Sequence, residues 1–293
     1  MAEENGSQRS PLRLIIGFLF IIILPLAVGM YVAPKVVPAP QVGIIRLSYE
    51  IDGYTAYELG RQLAYARDET AVKSVVLILN SPGGSAAYSE ELYLDVLNTR
   101  QQLPVVASID LLAASGAYYM ASAANEIYAK PTSAVGSVGV ISFLSDGVFL
   151  EEDLLTTGPY KAFGGTRDGA VRQIERAKFA FLSAVRNGRG DRLKISDDYL
   201  SRAEVFTGVQ AMEYGMIDDL LSTNEAIEKA AALAGLSGYN VVELYPLAFA
   251  DELGETAQAV YQPAAIDVQK LWAAPSSSAP GMYYRYVAST SGE

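Results

Sequence analysis

Ser74-Val75-Val76-Leu77-Ile78-Leu79 is aliphatic at every position after the serine. A strand with one wet face alternates apolar and polar residues. A strand apolar at every position has both faces covered, as in the middle of a parallel sheet with helices on either side. The run meets Asn80-Ser81-Pro82-Gly83-Gly84, a cluster of turn formers, which predicts that the strand stops there. The neighbouring sequence fits the same plan. Val42–Leu47 reads as a short strand, and Tyr54 to Asp68 has helical spacing in Tyr54, Tyr57, Leu59, Leu63 and Ala64. A helix over Ser89–Leu97, a strand over Pro104–Ile109, a small-residue helix over Ser115–Ala124 and a strand over Glu126–Ala129 follow. Strand and helix alternate, so the expected fold class is α/β, a parallel sheet with crossover helices.

The N-terminus is different material. Leu14 to Ala33 is twenty residues without a charge, preceded by Arg9 and Arg13 and followed by Lys35. At ~1.5 Å per residue such a helix spans a hydrocarbon core of about 30 Å. The flanking charges then place residues 1–13 in the cytoplasm and the rest outside, at a cell membrane crossed once. A cleaved signal peptide is the other reading, with Ala27-Val28-Gly29 as a small-x-small cleavage site, although the run is long for that purpose. Residues 34–40 hold three prolines in seven and read as a stiff extended stalk. The organisation expected is a tail 1–13, an anchor 14–33, a stalk 34–40, a main domain 41–238 and an extension 239–293.

Two absences narrow the chemistry. The chain has no His and no Cys. That removes Ser-His-Asp and Cys-His nucleophile pairs, His- or Cys-based zinc sites and disulfides. The 33 acidic residues against 22 basic ones give a net charge of −11. Such a balance argues against a nucleic-acid partner, which wants a basic face.

Three segments carry candidate chemistry. The glycines of Asn80–Gly84 leave backbone N–H groups free to face a cleft, where they can hold an oxyanion. A plain strand-to-helix turn is the alternative. In Leu112–Ala121 a serine, Ser115, sits among small residues where a loop becomes a helix. It can be a nucleophile or the helix N-cap. In Thr157–Gly164 a lysine, Lys161, is flanked by Tyr160, Pro159, Ala162 and Phe163. A lysine held among apolar groups loses water and with it the preference for the ammonium form, so it can act as a base. A surface lysine with an apolar stem is the alternative.

The segments NSPGG, AASGAYYMASAANEIYAKP, VGSVGV, TGPYKAFG and RAEVFTGVQAMEYGMIDDL occur in this order. Together they resemble the short form of signal peptide peptidase A, in serine protease family S49, from about Gln41 to Gly235. The resemblance implies a ClpP/crotonase-like fold of repeated β-β-α and βαβ units behind a transmembrane helix. It implies Ser115 as nucleophile, Lys161 as general base, the N–H groups of Gly83 and Gly116 as oxyanion hole, and Ser137 as the residue that orients the base. No cofactor and no metal are implied. The expected partners are peptides, signal peptides among them, the membrane, and further copies of the chain in a ring whose active sites lie at subunit interfaces. Ala113, Ala114, Ala117 and Ala121 around Ser115 suggest that small or apolar side chains flank the cut.

Past Ser237 the resemblance ends. Tyr239–Glu293 contains the sole Trp272, the linker Pro275–Pro280 and the tyrosine-rich Gly281–Val287. It reads as a helix with a tail, or as an extended strand docked on the ring or in a substrate groove. Two other functions compete with a protease. One is a catalytically silent membrane scaffold, which loss of Ser115 or Lys161 would have marked. The other is a crotonase-type acyl-CoA enzyme, which should supply an active-site carboxylate and a CoA pocket.

Overall fold

The structure, a computed structural model, describes residues 17–36, 38–143, 157–158, 160–161, 165–253, 259–263, 265–272 and 281–286. The segment 149–155, the prolines of the 275–280 linker and most of the Lys161 segment lie outside these residues. The chain separates into two compact units, Met1–Pro40 and Gln41–Glu293.

In the first unit Leu19–Ile23 is a π-helical turn that passes into an α-helix over Leu24–Val36. The Leu24 N–H reaches back five residues to the Leu19 carbonyl. That wider turn sits just before Pro25, whose ring would clash with the carbonyl four residues earlier in a regular helix. Among the described residues no helix is long and apolar enough to cross a membrane. Leu14 to Ile16 of the expected anchor lie outside them, and the π-turn divides the rest. Phe18, Phe20, Ile21, Met30 and Tyr31 are all exposed. Helix continues to Val36, so the first part of the expected extended stalk is helical. Pro34 so close to a helix end forfeits only one backbone bond there.

Among the described residues the second unit has ten strands: β1 (Gln41–Ile51), β2 (Val72–Ser85), β3 (Val105–Ala114), β4 (Glu126–Ala129), β5 (Ala134–Gly136), β6 (Ile141–Phe143), β7 (Val205–Thr207), β8 (Asp219–Leu220), β9 (Asn240–Glu243) and β10 (Gly281–Arg285). The principal helices are α1 (Gly53–Asp68), α2 (Ala86–Arg100), α3 (Gly116–Ala121), α4 (Arg167–Arg189) and α5 (Thr223–Leu233). Strand β2 pairs in parallel with β1 on one edge and β3 on the other, β3 continues to β4, and β4 to β8. The α/β expectation holds.

Alternate residues of β2 divide between two cores. Val75, Leu77 and Leu79 pack with Leu59, Leu63, Leu92, Val96 and Phe181 from α1, α2 and α4. Val76 and Ile78 pack on the opposite face with Ala226, Ile227 and Ala230 of α5. The period-two alternation of a strand explains the division, and cover on both faces explains the uninterrupted apolar run.

Strand β2 does not stop at Asn80, contrary to the sequence expectation. It runs through Asn80-Ser81-Pro82-Gly83-Gly84 to Ser85. Its register with β3 jumps there: Leu79 faces Ile109, and Asn80 faces Leu112. Asn80 holds the jump in place, accepting from the Leu111 N–H at 2.9 Å and donating to the Asp110 carboxylate at 3.3 Å. The bulge re-aims β3, which pairs with β4 before it and with β5 after it, and so curls the sheet. Proline is tolerated because Pro82 stands beyond the last β2–β3 pair, Ser81–Ala113.

One buried ion pair locks the far side of this sheet. Arg189, 1% exposed, reaches both oxygens of Asp218 at 2.8 and 2.9 Å and donates Nε to the Gly215 carbonyl at 2.9 Å. Asp218 also accepts from Arg192 at 2.8 Å and from the Ile127 N–H at 2.7 Å. Burial alone would raise the Asp218 pKa. The Arg189 hydrogen bonds and charge, with Ile127 and Arg192, override it and hold the carboxyl below its ordinary value. A depressed folded pKa gives stability that is present above the unfolded carboxylate value of ~3.9 and is lost as pH falls through the folded value. Asp218→Asn should cost about 3 kcal/mol or more at pH 7, because Arg189 is left buried without its counter-charge. It should also flatten part of the acid limb of the stability curve. Denaturant titrations at several pH values check both, and an unchanged acid limb would reject the account.

Candidate active site

Ser115 is the single residue between β3, which ends at Ala114, and α3, which begins at Gly116. Its backbone is at φ 53°, ψ −121°, a conformation that costs a side-chain-bearing residue about 1–3 kcal/mol. The surroundings impose it. The Ser115 N–H donates to the Gly136 carbonyl at 2.7 Å, and its carbonyl accepts from the Tyr119 N–H at 2.8 Å, starting the helix. Yet the Ser115 hydroxyl makes no capping bond, so the N-cap reading is set aside. Helix α3 ends at Ala121, shorter than expected.

Ser137 comes to the same end of the sheet. Ala114 is paired with Gly136, so Ser115 and Ser137 each follow the last residue of neighbouring parallel strands. Ser137 also has positive φ, 53°, and its N–H donates to the Glu204 carbonyl at 2.8 Å. It is 8% exposed.

Gly83 and Gly116 face one point. A Cβ on Gly83 (φ +91°) would lie 2.0 Å from the Tyr284 carbonyl oxygen and 2.6 Å from the Gly116 nitrogen. A Cβ on Gly116 would lie 3.0 Å from the same oxygen. The two glycines expected to form the oxyanion hole thus both lie close to a peptide carbonyl of the chain itself, that of Tyr284. As first residue of α3, Gly116 has an N–H with no partner inside its own helix. The Gly83 N–H is turned onto Ser81 Oγ at 3.1 Å.

Lys161 is exposed, in a turn whose Lys161 N–H donates to the Gly158 carbonyl at 3.2 Å. Among the described residues no hydrogen bond or ion pair joins its side chain to Ser115. Ala113, Ala114, Ala117 and Ala121 are fully buried, so they pack the core and do not wall a cleft. The side chains packed beside the site are aromatic.

Those aromatics hold the C-terminal strand. Beyond Ser81, where β3 leaves β2, the vacated edge is taken by β10. Tyr283, Tyr284 and Arg285 pair antiparallel with Ser85, Gly84 and Gly83, and the Tyr286 N–H donates to the Pro82 carbonyl at 2.7 Å. On its other edge β10 pairs with β6. The extension holds short helices over Leu244–Ala248, Ala250–Leu253 and Val268–Leu271 as well as the extended strand Gly281–Arg285. The Tyr284 ring is fully buried. It stacks on Tyr119 at 5.2 Å and 12°, and tilts against Phe181 at 5.1 Å. Its hydroxyl lies 2.9 Å from Glu90 Oε1 and 3.1 Å from the Ala177 carbonyl. Burial, then the Glu90 contact, raises the phenol pKa far above its ordinary value, so Tyr284 remains a donor. The Arg285 guanidinium pairs with Glu50. The sequence reading missed Tyr119, Glu90 and Phe181. The signal was there in Tyr118-Tyr119 beside Ser115 and the tyrosines of Met282–Tyr286, but nothing local joins them.

The profile of peptidase family S49 matches residues 98–237, which include Ser115, Ser137 and Lys161. A Clp protease profile matches residues 39–135 and covers β1, β2 and β3. Protease 4 of Haemophilus influenzae is 32% identical over 189 residues, 60% of this chain and 31% of that protein. A putative signal peptide peptidase SppA of Enterococcus faecium is 28% identical over 199 residues, 62% of this chain and 57% of that one. The chain therefore spans about a third of the first relative and somewhat over half of the second. A solved structure of a membrane-bound stomatin-specific protease, 1510-N, as a serine-to-alanine mutant, aligns with TM-score 0.50 at 18% identity. The alignment covers 66% of this chain and 86% of that one, and it shows a shared fold.

The Ser115 backbone yields a stability prediction free of any assay of activity. Both Ser115→Gly and Ser115→Ala delete the hydroxyl, but only glycine relaxes at positive φ. Ser115→Gly should be more stable than Ser115→Ala by about 1 kcal/mol in denaturant titrations. Equal stability would mean that the site stores no backbone strain.

Proposed function

We propose that this chain is a membrane-anchored serine endopeptidase of the S49 type using a Ser/Lys pair. The observation that carries the reading is Ser115: a strained residue whose hydroxyl caps nothing, next to two glycines that lie close to a peptide carbonyl. Lys161, unprotonated, takes the Ser115 Oγ proton as Oγ bonds to the substrate carbonyl carbon. The carbonyl π electrons move to oxygen, held by the N–H groups of Gly116 and Gly83, the latter exchanging Ser81 Oγ for the oxyanion. Ser137 orients Lys161. The C–N bond breaks and the proton passes from Lys161 to the departing amine. Water repeats the sequence on the ester, with Lys161 again as base. A single donor in such a hole is worth about 3–4 kcal/mol of barrier.

Exposure of Lys161 in the single chain supports completion of the site by a neighbour in a homo-oligomeric ring. Burial against a second subunit would strip its water and favour the neutral amine. The uncharged run Leu14–Ala33 and its exposed apolar side chains support an anchor with the peptidase domain outside the cytoplasm. Signal peptides left in the membrane are then the substrates nearest to hand.

Ser115→Ala should abolish peptide hydrolysis with the fold intact by circular dichroism. Lys161→Arg keeps the charge but cannot give up its proton, so it should be as inactive as Lys161→Ala. Wild-type turnover in Lys161→Arg would remove that residue from the mechanism. Mixing inactive Ser115→Ala and Lys161→Ala subunits should restore part of the activity, because some interfaces then hold both intact side chains. No recovery after verified subunit exchange would place both residues in one chain.

A further inference from the structure

One side-chain amide ties together the two strands that lead to the expected oxyanion hole. Asn80 is 2% exposed and lies on β2, upstream of Gly83 on the same strand. Its Oδ1 accepts at 2.9 Å from the N–H of Leu111 on β3, upstream of Ser115 and Gly116. Its Nδ2 donates to the Asp110 carboxylate at 3.3 Å. The register of β2 shifts here against both neighbours. Leu79–Ile109 gives way to Asn80–Leu112 on β3, and Ser48–Asn80 to Glu50–Gly83 on β1. We propose that Asp110 and Asn80 form a clamp that sets the spacing of the oxyanion hole, Asp110 fixing which way the Asn80 amide points. The claim rests on the protease reading above and adds two positioning residues to it.

A side-chain amide has an accepting end and a donating end of nearly equal shape. The Leu111 N–H needs the oxygen. Turned by half a rotation, Asn80 would set its NH2 against that N–H, donor against donor, and loosen the bulge. The Asp110 carboxylate prevents this: it only accepts, so it demands the nitrogen. Asp110 is itself held from two sides. Its carboxylate pairs with Lys130, and its carbonyl accepts from Ser133 Oγ at 2.8 Å. Ser133 Oγ accepts in turn from the Lys130 N–H at 3.1 Å. Ser133 leads into β5, whose last residue, Gly136, accepts from the Ser115 N–H. On β2 the residue after Asn80 is Ser81, fully buried, which takes the Gly83 N–H on its Oγ. Loosening Asn80 therefore frees β2 and β3 to shift against each other, and Gly83 to shift against Gly116. A misplacement of about 1 Å in such a site can cost ~100-fold in rate. The side chains of Asp110 and Lys130 are 25% and 39% exposed, so shortening Asp110 opens no void in the core.

The test exchanges donor and acceptor in the full chain. Asp110→Ala should lower kcat for peptide hydrolysis at least ~10-fold with KM little changed, because the loss falls on the transition state. Asp110→Asn keeps an acceptor oxygen and should retain part of the rate. Asn80→Asp sets two carboxylates against each other and should cost at least as much as Asp110→Ala. In the double variant Asn80→Asp with Asp110→Asn, the new amide donates to the new carboxylate, which still accepts from the Leu111 N–H. Net charge is unchanged, and most of the kcat lost in Asn80→Asp should return. Hydrogen exchange at the Leu111 amide, followed by mass spectrometry in the same proteins, reads the clamp without any assay of activity. Exchange should quicken in Asp110→Ala and Asn80→Asp and slow again in the double variant. Unchanged exchange in Asp110→Ala, or quickened exchange with kcat intact, would overturn the clamp. A double variant no better than Asn80→Asp in both readouts would overturn it too. A wild type that hydrolyses nothing, with exchange following the expected pattern, would keep the clamp and reject the protease reading.

Discussion

The edge of β2 is the constraint from which the site follows. A strand has two hydrogen-bonding edges, and those of β2 are shared among β1, β3 and β10. The first edge is filled along its length by β1. The second is filled by β3 only up to Ser81, because the Asn80 bulge and the turn at Ser115 carry β3 away. What remains is a short stretch of backbone, Pro82 to Ser85, beside a strained serine, and β10 occupies it. Any other extended peptide would have to displace β10 to complete the sheet there, through main-chain bonds that any sequence can make. Side-chain pockets must then provide the selectivity.

The strain at Ser115 and the positive φ at Ser137 belong to the same device. Both residues follow the last pair of adjacent parallel strands, and both are bent out of the sheet by bonds to their neighbours' carbonyls. The stiff core on both faces of β2 and β3 is what can hold such conformations. Alanines at 113, 114, 117 and 121 serve this packing. Their small side chains let α3 approach the sheet closely, and the helix begins at the nucleophile candidate for that reason.

Local signals in the sequence carried the strands and helices well. The unbroken apolar run of β2 announced burial on both faces, and the period of Tyr54–Asp68 announced α1. Two kinds of feature were harder to read. The first is a local preference overruled by tertiary pairing: Asn80-Ser81-Pro82-Gly83-Gly84 is turn-forming in composition, but β1 on one side and β10 on the other keep it extended. The second is contact between distant residues. Tyr284 and Glu90 are 194 residues apart, and no periodicity joins them. The candidate catalytic residues, by contrast, came from a resemblance between whole segments. The structure adds conformation at Ser115, Ser137 and Gly83, while Lys161 lies exposed.

Strand β10 is tethered to the groove it fills. A covalently linked ligand is present at an effective concentration on the order of millimolar when its linker can span the distance. On the proposed protease reading, peptides arriving from solution compete against that constant local supply. Scarce ones lose regardless of their fit, while those accumulating to a comparable level, or binding much more tightly, displace the strand. The groove thereby responds to abundance as well as to sequence, in the manner of an overflow valve that stays shut until its feed backs up.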